Sequence, residues 1–140
     1  MLVDDDMNDN FFHERVIKRS NAANRIVIKE SGLEALDYLK SAGDPEKPRP
    51  DLIFLDINMP GMNGWEFLQE YRKLDKNLQS KMIVIMLTTS VNPEDESMAR
   101  SIDLLSDFKT KPLTKEMLED VLDKFYQEEG QSGESFSHYQ

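Results

Sequence analysis

Cysteine is absent from the 140 residues, which excludes thiol catalysis, cysteine-ligated zinc and disulfide stapling. Long apolar runs are missing as well. The longest, Met82 to Leu87 and Leu52 to Leu55, are strand-sized, far short of the roughly 20 residues that a helix needs to cross a bilayer. Met1 to Asp6 offers neither the basic start nor the apolar stretch of a secretory signal, so the expectation is a cytoplasmic protein with no membrane partner. Basic residues are in deficit: 17 Lys and Arg face 27 Asp and Glu, a formal net charge of −10. Direct nucleic-acid binding needs clustered Lys and Arg against phosphate, and this composition argues against it.

What is present suffices for one domain with a real core and is too short for two. Short apolar runs alternate with amphipathic segments. Leu2-Val3 reads as the end of a strand, and Phe12, Val16 and Ile17 recur at helical spacing between about Asn8 and Asn21. Arg25 to Ile28 is strand-like. Ser31, with Glu34 three residues on, predicts a capping box for a helix whose inner face is Ala35, Leu36 and Leu39. Gly43 to Pro50 is a proline-rich loop. The strand Leu52 to Leu55 ends at Asp56, and a helix marked by Gly64, Phe67, Leu68, Tyr71 and Leu74 follows the Met59-Pro60-Gly61 turn. Met82 to Leu87 forms the fourth strand, and a polar helix from Pro93 carries Met98, Ile102 and Leu105. Asp107 to Thr110 is the fifth strand. Thr114 caps a last helix with Met117, Leu118, Val121, Leu122 and Phe125 inside.

Five βα units with unbroken apolar strands imply an α/β domain, a parallel sheet covered on both faces. Residues 1–127 form this domain in our reading. The polar, aperiodic tail from Glu128 to Gln140 is expected to be disordered.

In open parallel sheets, binding sites form at the carboxyl ends of the strands. The first strand delivers Asp4, Asp5 and Asp6 there, the third Asp56 and the fourth Thr88, while Lys111 follows the fifth. Carboxylates brought together push one another's pKa up. A hard divalent cation relieves this, and Mg²⁺, or an ion such as Mn²⁺, suits one or two carboxylates plus water and phosphate oxygens. Asp56 could then attack a phosphoryl group and form an aspartyl phosphate. Such a transfer asks mainly for position and charge neutralisation, which Lys111 and the metal supply. Thr88 could donate a hydrogen bond to a phosphoryl oxygen.

Four stretches carry a resemblance: Val3-Asp4-Asp5-Asp6, Phe54 to Gly64, Leu87-Thr88-Thr89-Ser90 and Lys111-Pro112-Leu113. Together, in this order and each at a strand end, they resemble the receiver domains of two-component response regulators, from Leu2 to about Tyr126. The resemblance implies a CheY-like, flavodoxin-like doubly wound sheet of five parallel strands in the order 2-1-3-4-5. It implies that Asp56 takes phosphate from a sensor histidine kinase or a histidine phosphotransfer protein. Asp4 and Asp5 would hold Mg²⁺ with Asp56 and the backbone carbonyl of Asn58. Lys111 would pair with the phosphate, its bond to Pro112 being cis. Thr88 and Phe108 would be the switch residues, and a downstream protein would read the face of the fourth helix, fifth strand and fifth helix. Such a protein is a phosphoacceptor switch rather than an enzyme, with weak self-catalysed phosphorylation and dephosphorylation.

Two features blur the pattern. Only three residues precede Asp4, which leaves a frayed strand edge or a missing natural start as alternatives. The aspartate triplet leaves open which two face the metal; register favours Asp4 and Asp5, with Asp6 outward or behind them. An aspartyl phosphatase is the rival chemistry, but Asp56 is followed by Asn58, which cannot serve as the second acid. His13 is assigned to the polar face of the first helix, Trp65 and Tyr71 to packing on the third, and Met59 and Met62 to loop packing.

Overall fold

The computed structural model describes residues 1–43, 45–87, 92–103 and 107–131, with side chains at all of these except 82, 84–87 and 128–131. Ten elements alternate along them: β1 (Leu2–Val3), α1 (Met7–Arg19), β2 (Ile28–Lys29), α2 (Gly32–Ser41), β3 (Leu52–Asp56), α3 (Gly64–Arg72), β4 (Met82–Leu87), α4 (Pro93–Ser101), β5 (Asp107–Thr110) and α5 (Lys115–Gln131). All strand pairs are parallel, in the order β2-β1-β3-β4-β5. This is the expected doubly wound α/β sheet, and its order reverses between β1 and β3.

Strand alternation sorts the core into two layers. Val3, Ile53, Leu55 and Ile83 meet Ala35, Leu36 and Leu39 of α2 and Phe67, Leu68 and Tyr71 of α3. Leu2 and Phe54, pointing the other way, meet Ile17 of α1 and Leu118 and Val121 of α5. Each fully buried Leu or Phe side chain contributes roughly 1.5–3 kcal/mol of transfer free energy. Tyr71 is buried as well; its hydroxyl accepts the Ser80 N–H at 2.6 Å, so the polar end of the ring is not stranded.

The caps read at Ser31 and Thr114 are realised, and Asn63 and Asn92 add two that the sequence reading did not name. Ser31 Oγ accepts the Glu34 N–H at 3.1 Å, and Asn63 with Glu66 closes a capping box on α3. Asn92 caps α4 with Pro93 in its first turn.

Four expectations need correction. The strand read at Arg25 to Ile28 is confined to Ile28–Lys29, because β1 offers two residues to pair, Leu2 with Ile28 and Val3 with Lys29. Helix α1 is turned from its apolar reading: Phe12 is exposed, while Asn10, His13 and Ile17 are buried. Asp6, not the start of the apolar pattern, sets this phase, since its carboxylate caps the Asn8 and Asp9 N–H groups. On α4, Met98 is exposed and Ala99 faces the core; Leu105 lies outside the described residues. Helix α5 continues to Gln131, four residues into the segment read as tail, and 132–140 lie outside the described residues.

A cavity of about 440 Å³ opens at the amino ends of the strands, beside Met1, Val27, Leu52 and Phe125. The Met1 ammonium, buried there, donates to the Leu52 carbonyl at 2.7 Å. Burial pushes its pKa down to about 5. No described helix is long and apolar enough to cross a membrane.

Candidate functional site

Asp4 follows β1 and Asp56 closes β3, neighbouring strands at the point where the sheet order reverses. Both carboxylates therefore emerge on the same edge. Oxygens of Asp4, Asp5 and Asp56 lie within 4.8 Å of one another. Asp4 and Asp56 are buried, whereas Asp5 is exposed. Asp6 stands apart: it is exposed, and its carboxylate is occupied with the start of α1.

Local hydrogen bonds hold the acids. Asp4 Oδ1 accepts the Asp6 N–H at 3.0 Å, and the Asp4 carbonyl accepts the side-chain amide of Asn10 at 2.8 Å. Asp56 Oδ1 accepts the Asn58 N–H at 3.3 Å. Asn58 is exposed, two residues past Asp56, so it lies on the rim of the acid group. Gly64 lets this loop close on α3. A Cβ there would stand 2.6 Å from Ile57 Cα and 2.9 Å from the Asp56 carbonyl oxygen.

Lys111, one residue after β5, reaches across the edge. Its Nζ is 2.7 Å from Asp4 Oδ2, 2.7 Å from Asp9 Oδ2 and 3.5 Å from Asp56 Oδ1. The Lys111–Pro112 peptide bond is cis. Burial works against the ammonium, but hydrogen bonds to Asp4 and Asp9 and the fields of Asp56 and Asp4 outweigh it and hold the pKa above the ordinary lysine value. Asp56 behaves oppositely. Burial, and then the Asp4 charge, push its carboxyl up to about 6, against the pull of Lys111 and the Asn58 N–H.

An excess of buried negative charge over one ammonium is an environment that a hard cation stabilises. The donor set, oxygen only and three carboxylates close together, fits Mg²⁺ or a similar ion. Asp4, Asp5 and Asp56 could hold it. Chemically, the edge offers a carboxylate nucleophile, a cation cradle and a fixed ammonium.

Phe108 is half-buried on β5, with the Arg100 guanidinium 4.9 Å from its ring centroid. Thr88, with Thr89 and Ser90, lies outside the described residues; β4 is described as far as Leu87, which pairs with Thr110. Trp65 packs against the core and donates its indole N–H to Asp95 at 3.3 Å, and Met59 is buried in the core.

Three site neighbours escaped the sequence reading: Asp9, Asn10 and His13. His13 is buried, not on the polar face of α1. Burial and then the Lys111 charge lower its pKa, partly offset by Asp4 and Asp9. Taking Asp6 as the helix cap would have placed Asp9, Asn10 and His13 on one face, since residues three and four apart are neighbours on a helix.

Comparison with known proteins bears on this edge. The family model described as "Response regulator receiver domain" matches residues 1–123. The chain belongs to that family. It is similar to response regulator Rcp1 of Synechocystis sp., 38% identical over 97 residues that span 68% of this chain and 64% of Rcp1. The matched part is thus less than two thirds of that relative. Among solved structures, it is similar to a two-component response regulator from Cytophaga hutchinsonii, with a TM-score of 0.74 and 30% identity, covering 90% of this chain and 94% of that one. Chemotaxis protein CheY4 of Vibrio cholerae aligns with a TM-score of 0.70 and 25% identity, over 89% and 94% of the two chains. The receiver domain is therefore CheY-like in fold and a relative of two-component signalling proteins. Receiver domains as a class are signalling switches rather than true enzymes.

Proposed function

We propose that this receiver domain accepts a phosphoryl group on Asp56 from the phosphohistidine of a sensor histidine kinase or a histidine phosphotransfer protein. The observation that carries the reading is the meeting of Asp4, Asp5 and Asp56 within 4.8 Å, with the Lys111 ammonium 3.5 Å from Asp56. An Asp56 oxygen attacks phosphorus, a P–O bond forms and the P–N bond breaks. The imidazole nitrogen leaves with the electron pair and takes a proton from solvent. Asp4, Asp5, Asp56 and the Asn58 carbonyl are the proposed holders of Mg²⁺, which when bound neutralises charge on the phosphoryl oxygens. Lys111 neutralises a further share, and Thr88 donates a hydrogen bond to the product. Water later attacks phosphorus, releasing inorganic phosphate and restoring the carboxylate, so the chain weakly catalyses its own resetting.

Phosphorylation acts as a switch only through a conformation that binds the acyl phosphate better. Thr88 and Phe108 are the proposed movers, and a downstream protein reads the α4-β5-α5 face. The domain is taken as residues 1–127 in this reading, with helix α5 running on to Gln131. The net charge of −10 supports a protein partner rather than nucleic acid or an anionic membrane, and the cytoplasm is the compartment we propose. Intact-mass measurement after incubation with a small acyl-phosphate donor tests the proposal. One phosphoryl group should appear with Mg²⁺ and not with a chelator, and Asp56→Ala should take up none. Equal uptake by that variant would contradict it.

A further inference from the structure

The Lys111 ammonium has two near partners, and neither is the proposed phosphoacceptor. Asp4 Oδ2 and Asp9 Oδ2 both stand 2.7 Å away, while Asp56 Oδ1 is at 3.5 Å. Asp9 belongs to the first turn of α1, fixed there by its own N–H, which donates to Asp6 Oδ1 at 3.1 Å. Its carboxylate is 37% exposed, against 6% for that of Asp4, so it grips the lysine from the rim. Asp9 lies outside the carboxylate group that could hold a metal ion.

The two grips have different fates. A cation held by Asp4, Asp5 and Asp56 draws on the Asp4 charge and weakens its hold on the lysine. Asp9 has no part in that group, and so, among the described residues, it is the competitor that stays. A phosphoryl group on Asp56 adds negative charge beside Lys111, and the ammonium must move toward it to pair at charge-assisted hydrogen-bond distance. We propose that Asp9 is a positioning residue that restrains Lys111, holding it back from Asp56 in the resting site and so setting how readily that site takes a phosphoryl-like anion. The inference rests on the function proposed above and adds a brake to it.

The alternative for Asp9 is purely structural: an acid in the first turn of a helix stabilises the helix through the dipole. A double-mutant cycle separates the two. The probe is beryllofluoride, titrated at saturating Mg²⁺ against the full chain and followed by amide chemical shifts. Asp9→Asn should bind it roughly three- to fivefold more tightly than the parent, the scale of one partly exposed ion pair removed from competition. Asp9→Glu, which keeps the charge, should stay within about twofold of the parent. In a Lys111→Met background, Asp9→Asn should change affinity by less than about twofold, because nothing remains to be restrained.

Unchanged or weaker binding by Asp9→Asn, with the parent binding normally, overturns the brake and leaves the phosphoacceptor reading standing. An equal gain in both backgrounds also overturns it, since a bare charge effect needs no lysine. Failure of the parent itself to bind beryllofluoride with Mg²⁺ removes the underlying reading, and the brake with it.

Discussion

Lys111 Nζ lies 2.7 Å from Asp4 Oδ2 and 3.5 Å from Asp56 Oδ1, so the lysine acts as the resident cation of an acidic edge. Removing one partner of a buried ion pair leaves uncompensated charge, at a cost of about 3–5 kcal/mol. Lys111→Met should lose stability on that order in chelator. Mg²⁺ should restore more stability to the variant than it adds to the parent, because the ion no longer competes with an ammonium. Urea unfolding with EDTA or Mg²⁺ checks both statements; equal gains from Mg²⁺ would count against the resident-cation account.

Asp56 carries a pH signature in the metal-free protein. Its folded pKa, raised to about 6 by burial and by Asp4, exceeds the ordinary aspartate value near 3.9. The native state therefore keeps a proton that the unfolded chain has already released. This group's contribution favours the fold at low pH and is lost as pH rises from about 4 to about 6, a penalty of about 3 kcal/mol at neutrality. Asp56→Asn should then be more stable than the parent at pH 7 in EDTA, with the gap closing toward pH 4. A gap that stays constant across that range would contradict the assignment.

Asn10 holds the Asp4 backbone through a buried bond to its carbonyl, 2.8 Å long. Asn10→Ala should cost about 1–3 kcal/mol by leaving that carbonyl without a donor. It should also weaken Mg²⁺ binding, measured by amide-shift titration, since the first acid is less firmly placed.

Gly64 has no room for a methyl group against Ile57 and the Asp56 carbonyl. Gly64→Ala must displace backbone on the loop after β3, at a cost of about 1–3 kcal/mol. Phosphoryl uptake from an acyl-phosphate donor should slow several-fold or more. Uptake at the parent rate would show that this close approach does not position Asp56.

Much of this architecture was legible because independent local signals agreed. The apolar strands Leu52–Asp56 and Met82–Leu87, the caps Ser31 and Thr114 and the inner face of α5 all pointed to one sheet. The gathering of Asp4, Asp5, Asp56 and Lys111 followed from strand ends sharing an edge. What stayed hidden was the phase of α1. Its apolar residues suggested Phe12 inward, whereas Asn10 and His13 are buried, because the helix cap and the polar needs of the site outweigh one aromatic ring. β2 was overread for a related reason: Arg25 to Val27 have strand chemistry, but on that side of β1 the strand pairing is confined to Ile28 and Lys29. Asp9 was hidden in plain acidic composition; only the reach of Lys111 across 102 positions of sequence singles it out.

The most direct test of the account is chemical location of the acyl phosphate. After incubation with an acyl-phosphate donor and Mg²⁺, borohydride reduction converts a phosphorylated aspartate into homoserine, which peptide mass spectrometry can map. The account predicts homoserine at position 56 alone, and none when chelator replaces the metal. Homoserine at Asp4, Asp5 or Asp9, or at position 56 in equal yield without metal, would contradict it.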